Sequence, residues 1–525
     1  MPDRRAGILV PLFSIPSSRS WGIGEIADIA ELARWLESAG VRVLQVLPIN
    51  EMSPGETSPY SAMSAMAIDP QFIAVEQVED FAAAIRAQPL PAECHAELSA
   101  VRGSSRVDYA GVRRLKAAAL RRAFAHFHET EWRRGTRRSA ALQGYLWDQA
   151  WWLDDYALFR ALHAHHGGTP WDQWPDALQR RDGDALNQAR HDLATDILYR
   201  QYLQWIADSP WAEARRAAGP VALFGDLPFM VSGDSADVWA HQDLFRRDAS
   251  VGVPPDAFSE TGQDWGLPVY RWDVLAERDF DWLHGRARRN AALFDGYRID
   301  HLVGFYRTYF RPHDGGPAQF VPADELEQVR LGERVIDVFR SAGSEVTAED
   351  LGVVPDFVRE SLGRLNVPGY KVQRWERQWR LEGQPFKDPH EYAERAVVTS
   401  GTHDTEPMAE WWKRAPVEER QAVLVIPSIQ GALTDEDRAA ALNEPALTAT
   451  VREALLRSLY GSPSELLILP IQDIFGWSDR INRPASVDER NWTWRMPWPV
   501  DRMRSEPAAV AMAARLSEWS RKYGR

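Results

Sequence analysis

Residues 294–305 read FDGYRIDHLVGF, and Arg298, Asp300 and His301 interrupt an otherwise apolar, strand-like run. Side chains alternate faces along a strand, so Arg298 and Asp300 point one way while Tyr297 and Ile299 point the other. A buried strand carries such a pair either as a structural ion pair or as part of an active site. What decides between them is whether other strands bring polar groups to the same place. Seven further strand-like runs are GILVPL (7–12), VRVLQVLP (41–48), VALFGD (221–226), SEVTAED (344–350), GYKVQRW (369–375), AVVTSGTHD (396–404) and ELLILPIQD (465–473). Helical patterns separate many of them: Ile26, Ile29, Ala30, Ala33 and Leu36 keep a helical period that stops at Gly40. Eight strands alternating with helices predict an α/β fold of the (β/α)8 TIM-barrel type rather than an open sheet. A single catalytic barrel over 1–525 is expected, carrying insertions. The segment 50–220 is too long for one loop and contains the helix-like WDQAWWLDDYALFRALHAHH, so a largely helical insertion is expected at about 70–195. A loop-rich insertion is expected at about 227–290, around the turn-rich GVPPDAFSETGQDWGLP (252–268).

In such barrels the chemistry sits where the strands end at the carboxyl face. Asp226, Asp300, Glu349 and Asp404 end the third, fourth, fifth and seventh candidate strands, so four acids are expected around one mouth. One acid at a strand end reads as a helix cap; four in register weaken that reading. Carboxylates with an arginine and histidines, without a metal motif, suit cleavage of a glycosidic bond. One carboxylate attacks the anomeric carbon, a second in its acid form protonates the leaving oxygen, and other groups orient the ring. Arg298, on the face of Asp300, keeps that carboxylate ionised, while the surroundings of Glu349 are expected to raise its pKa.

Composition excludes several classes. The 525 residues, 45% hydrophobic and 26% charged, are ample for a large core. The single cysteine, Cys94, rules out an internal disulfide framework and a cysteine-based zinc cluster, and fits a reducing cytoplasm. Pro11 and Pro16 break the apolar start, which reads as a first strand and not a signal peptide. No run approaches the roughly 18 apolar residues of a membrane span, so no membrane association is expected. A net charge of −14 argues against a nucleic-acid binder. The arginine-rich stretch 113–138 keeps helical spacing at Leu115, Ala118, Ala119 and Arg122 and reads as a solvated helix face. Most of the 23 tryptophans are expected in cores, but Trp265 lies in a polar, Gly/Pro-rich loop with little core to join.

The runs SPYSAMSA (58–65), WLDDYALFRALHAHHGGTPW (152–171), GDLPFMV (225–231), GVPPDAFSETGQDWG (252–266), FDGYRIDHLVGF, TAEDLG, SGTHDT and INRPASVDERNWTWR (481–495) together resemble glycoside hydrolase family 77, the 4-α-glucanotransferases of the amylomaltase type. The likeness runs in order from residue 7 to about 497. It implies a retaining (β/α)8 enzyme that moves α-1,4-glucan segments between chains, without cofactor or essential metal. Maltooligosaccharides, amylose or glycogen-derived glucans are the implied donors and acceptors. By motif match, Asp300 corresponds to the nucleophile, Glu349 to the acid/base and Asp404 to the third carboxylate. Arg298, His301 and His403 match groups around the reacting sugar, Tyr60 a sugar-contacting aromatic and Asp226 a motif acid; Gln263 and Trp265 match the acceptor-side loop, where Phe258 is expected to join them, and Asn482 is expected to bind substrate. Where many members read THDND, this chain reads THDTEP, so Thr405, Glu406 and Pro407 replace the usual continuation. An α-1,4-glucan hydrolase of the α-amylase clan is the nearest alternative. GIGEIA (22–27) also fits the G-x-G-x-x-A of a dinucleotide-binding oxidoreductase, but it comes late after its strand, and the next strand ends in Pro48, Ile49 and Asn50 with no acid for a ribose. The trio of carboxylates disfavours a non-catalytic glycan-binding protein.

Overall fold

A computed structural model describes residues 4–255, 262–484, 486 and 488–525. Eight parallel strands close into a barrel in sequence order: β1 (Arg5–Leu9), β2 (Val43–Gln45), β3 (Ala222–Leu227), β4 (Gly296–Ile299), β5 (Glu345–Ala348), β6 (Gly369–Val372), β7 (Ala396–Thr399) and β8 (Leu466–Pro470), with β8 returning to β1. Six of the eight fall within the runs read from the sequence; β1 begins two residues before its run, at Arg5, and β3 passes the end of its run by one, at Leu227. β4 to β8 are shorter than their runs because most of the residues beyond each apolar core belong to the turns and helices that follow. The run ending at Asp404 shows this most clearly, since its strand stops at Thr399 and Asp404 stands on the loop beyond.

The alternation read for β4 holds in space. Tyr297 and Ile299 are buried against the surrounding helices, with the Tyr297 hydroxyl donating to the carbonyl of Phe339 at 2.9 Å. Arg298 turns into the barrel and pairs in register with Asp226 of β3 and Thr347 of β5. The glycines of GIGEIA are accounted for by packing: Gly24 donates its N–H to the carbonyl of Phe13 at 3.2 Å, and a Cβ there would run into the carbonyl oxygen of Leu12. They let the loop after β1 lie against itself before the helix Asp28–Ser38.

Between β2 and β3 the chain builds a helical layer whose longest members are Tyr109–Phe127, Arg137–His165 and Ala194–Ala217. The arginine-rich helix is not solvated throughout. Arg114 and Arg121 face water, but Lys116 is buried, donating to the carbonyls of Gln71 and Ile73 at 2.6 and 2.9 Å and pairing with Glu25 at 2.6 Å. A buried charge persists only with such partners, so Lys116 anchors this helix to the barrel. Beyond β3 and β4, strands Phe245–Val253, Gln263–Tyr270, Thr308–Pro312 and Gln319–Val321 form a separate antiparallel sheet beside the mouth. Trp265 therefore stands on a strand and not in a loop, half-buried against its neighbours. Among the described residues no helix is long and apolar enough to cross a membrane.

Candidate active site

Arg298 organises the mouth of the barrel. Its Nη1 lies 2.9 and 2.8 Å from the two carboxylate oxygens of Asp226 and 2.8 Å from Oδ1 of Asp300, and its Nη2 lies 3.9 Å from Oε2 of Glu349. Burial opposes its charge, but Asp226 and Asp300 outweigh that and hold the guanidinium protonated. Three acids from three adjacent strands thus share one cation. The ends of β4 and β5 are stitched together, with the Glu349 N–H donating to the carbonyl of Ile299 at 3.0 Å. His301 has φ of 44°, a conformation few side-chain-bearing residues adopt, and this turn aims its backbone N–H at Oε2 of Glu349, 2.9 Å away. The N–H of Leu351 reaches Oε1 at the same distance.

The carboxyls are tuned apart. Burial pushes Glu349 up to about 7, aided by the charge of Asp300 and opposed by Arg298 and the two backbone donors. Asp404 goes the other way. Enclosure works to raise it, but His403 at 3.3 Å and the Asn482 amide, donating to Oδ1 at 2.6 Å, hold it at about 2. Burial disfavours the His403 cation, yet Asp404 raises its pKa above the ordinary value. Burial brings His301 down to about 4, so its ring is neutral at pH 7.

Tyr60 closes one side: its hydroxyl donates to Asp226 at 3.0 Å, lies 3.1 Å from Nε2 of His403, and its ring stacks on that imidazole at 5.4 Å. On the other side Trp265 meets His301 edge-on at 4.8 Å, and its indole N–H donates to the side-chain oxygen of Gln263 at 3.2 Å. Phe258 lies outside the described residues; the other residues singled out from the sequence converge on this mouth. Two contributors had no distinguishing signal there. Trp492, assigned to packing with the other tryptophans, lies 5.7 Å from Tyr60 and 5.8 Å from His403. Arg480 donates to the carbonyls of Asp404 and Asn482 at 2.9 and 3.1 Å.

A parallel eight-stranded barrel whose mouth holds one carboxyl kept protonated to about pH 7 beside another paired with arginine has the equipment of an enzyme acting on glycosidic bonds. Residues 10–501 match the profile of glycoside hydrolase family 77, described as 4-alpha-glucanotransferase, and the chain belongs to that family. The 4-alpha-glucanotransferase of Thermus thermophilus is 33% identical over 510 residues, covering 94% of this chain and 95% of its own. That of Chlamydia pneumoniae is 31% identical over 500 residues, covering 93% and 91%. Among solved structures, the amylomaltase from Streptococcus agalactiae in complex with acarbose superposes with a TM-score of 0.82 at 27% identity, covering 99% of both chains. The protein is thus a transferase of carbohydrate metabolism built on a TIM barrel.

Proposed function

We propose that this site transfers α-1,4-glucan segments from a donor maltooligosaccharide, amylose or glycogen-derived glucan to the 4-hydroxyl of an acceptor glucan or glucose, in two displacements. In the first, an oxygen of Asp300 attacks the anomeric carbon of the donor. The bond from that carbon to the leaving oxygen breaks, and Glu349 gives its proton to that oxygen, leaving a glycosyl ester on Asp300. In the second, the acceptor's 4-hydroxyl returns its proton to Glu349 and attacks the same carbon, releasing the Asp300 carboxylate. Two inversions give net retention. Asp404, kept ionised, holds ring hydroxyls and opposes the positive charge that develops on the sugar. Arg298, His301, His403, Tyr60 and Asn482 position the reacting ring, and Gln263 and Trp265 serve the acceptor side.

The observation that carries this reading is the division of labour around Arg298. Its Nη1 sits 2.8 Å from Asp300, the group that attacks, while burial holds the neighbouring Glu349 protonated up to about pH 7. Water and sugar compete for the same intermediate. A sugar succeeds where the site binds and aligns it. Trp265, held upright against His301 beside Glu349, offers a flat face for that purpose. Purified protein incubated with maltotriose is expected to yield glucose together with a ladder of longer maltooligosaccharides. Products no longer than the donor, with reducing ends rising as donor disappears, would make it a hydrolase.

A further inference from the structure

Away from the mouth, the helix Arg137–His165 presents two tryptophans that no core takes up: Trp147 is 84% exposed and Trp151 43%. Four positions apart, they share one face of the helix, about 6 Å apart along its axis. Two large rings on one helix face, one of them bordering a cavity, make a patch that a ligand's apolar face can cover. Beside Trp151, one turn along from Trp147, opens a cavity of about 270 Å³, walled by this helix and by Ala236–Ala240 and Asp281–Leu293. Trp151 borders it in a fixed pose. The guanidinium of Arg288 lies over its ring, 4.9 Å from the centroid, and its edge settles on Gly285, where a Cβ would come within 2.9 Å of Cζ3.

Both acceptors and donors line the cavity: the carboxylates of Asp155, Asp237 and Asp281, the guanidinium groups of Arg278 and Arg288, and the imidazole of His241. Asp155 is tied to Arg181 at 2.6 Å and Arg278 to Asp243, which fixes each while leaving further lone pairs and donors. Trp282, also on the wall, has an indole N–H without a hydrogen-bond partner. The two signs of charge offset each other, which suits neither nucleic acid nor an acidic peptide. They do suit a neutral polyol, whose C–H faces cover indole rings while its hydroxyls meet carboxylate and guanidinium. The cavity also borders Ser64 and Met66, on the loop that carries Tyr60, and Ala65 between them donates to Asp237 at 2.7 Å.

We propose that Trp147, Trp151 and this cavity form a second, non-catalytic binding site for an α-1,4-glucan chain, holding a polymeric donor on the helical layer while its end is processed at the barrel mouth. The proposal rests on the α-glucan transferase reading above. A chain held at one place raises the effective concentration of the rest of it nearby. The benefit falls on polymers and not on a trisaccharide.

The test compares wild type with Trp147→Ala/Trp151→Ala and Trp147→Phe/Trp151→Phe. Mobility in native gels containing amylopectin, turnover of amylose and of maltotriose, and sedimentation velocity are measured on each. The alanine pair is expected to weaken retardation by amylopectin at least fivefold in apparent Kd and to raise KM for amylose about threefold or more. Its kcat/KM on maltotriose is expected to stay within twofold of wild type, and the phenylalanine pair to recover most of the retardation. A maltotriose-active alanine pair that is retarded like wild type overturns the proposal. Loss of self-association with unchanged retardation also overturns it, because the face is then a contact between copies of the chain. A wild type that leaves maltotriose untouched defeats the transferase reading itself, and this proposal with it.

Discussion

If Glu349 must be protonated to expel the leaving sugar, the pH dependence of donor cleavage is set by a group displaced from 4.5 to about 7. That displacement corresponds to about 3 kcal/mol in favour of the neutral carboxyl. In a two-step transfer, kcat/KM for the donor reports the events up to formation of the glycosyl-enzyme, and so the free enzyme's acid. With a pKa near 7, about nine-tenths of Glu349 is protonated at pH 6 and about one-tenth at pH 8, so kcat/KM for maltotriose is expected to fall about tenfold between them. Early glucose release at low maltotriose, followed with a coupled glucose assay, measures it. The limb belongs to Glu349 if Glu349→Gln removes it, and if α-maltosyl fluoride, whose leaving group needs no proton, loses far less in that variant than maltotriose does. The acceptor half runs oppositely. There Glu349 acts as base, and because the Asp300 charge that helps raise its pKa is lost in the ester, the acceptor limb is expected below pH 7. The sign also reaches stability. A carboxyl raised by folding contributes stability below its unfolded pKa that is lost as pH rises through the folded value, so Glu349→Gln is expected to melt higher than wild type at pH 8, with the difference vanishing near pH 4. A donor kcat/KM that stays level from pH 6 to pH 9 would refute the assignment.

Asp300→Asn is expected to fold normally and lose about three or more orders of magnitude in rate on maltotriose, since only a carboxylate can form the ester; a folded, near-fully active variant removes Asp300 from that role. Trp265→Ala is expected to lower transfer more than hydrolysis, read as the ratio of longer oligosaccharides to new reducing ends, and an unchanged ratio means the ring does not serve the acceptor. Arg298→Met leaves the carboxylates of Asp226 and Asp300 without their shared cation, which is expected to cost about 3–5 kcal/mol in chemical denaturation. Adding Asp226→Asn to that variant should restore part of the loss, and equal stability of wild type and Arg298→Met would mean that the cluster is paired some other way.

The eight strands were legible because each is a short apolar run, and the barrel puts the acids that close or follow β3, β4, β5 and β7 at one mouth. Arg298 with Asp300 was legible for the same reason: a charged pair inside an apolar strand has to be matched, and parallel register supplies Asp226 from β3. Trp265 was misread as a loop residue because Gly262, Gly266 and two prolines are turn-forming in sequence, while the strand pairing that overrides them, Phe245–Val253 against Gln263–Tyr270, is set by a neighbour and not by local propensity. Lys116 was hidden for a related cause. Its helix face is decided by the Gln71 and Ile73 carbonyls and by Glu25, all far from it in sequence.

The THDTEP run shows where reading residues one at a time stops. As letters, Thr405, Glu406 and Pro407 say only that a loop differs. In space each has a task. The Thr405 hydroxyl accepts from the N–H of Thr402 at 3.0 Å and donates to its carbonyl at 3.1 Å, closing the turn that carries His403 and Asp404. Pro407 precedes the helix Met408–Arg414, whose first N–H donates to the buried Asp473 at 2.6 Å, so the chain is pinned on the far side as well. Glu406 lies between Arg374 at 3.9 Å and Arg480 at 3.6 Å, and its carbonyl accepts from Arg374 at 2.8 Å. Arg480 is also the donor to the carbonyls of Asp404 and Asn482. The carboxylate at position 406 therefore helps hold the arginine that holds the third acid and the amide bonded to it. Thr405, Glu406 and Pro407 thus lie behind Asp404 as a support and not at the open mouth beside it.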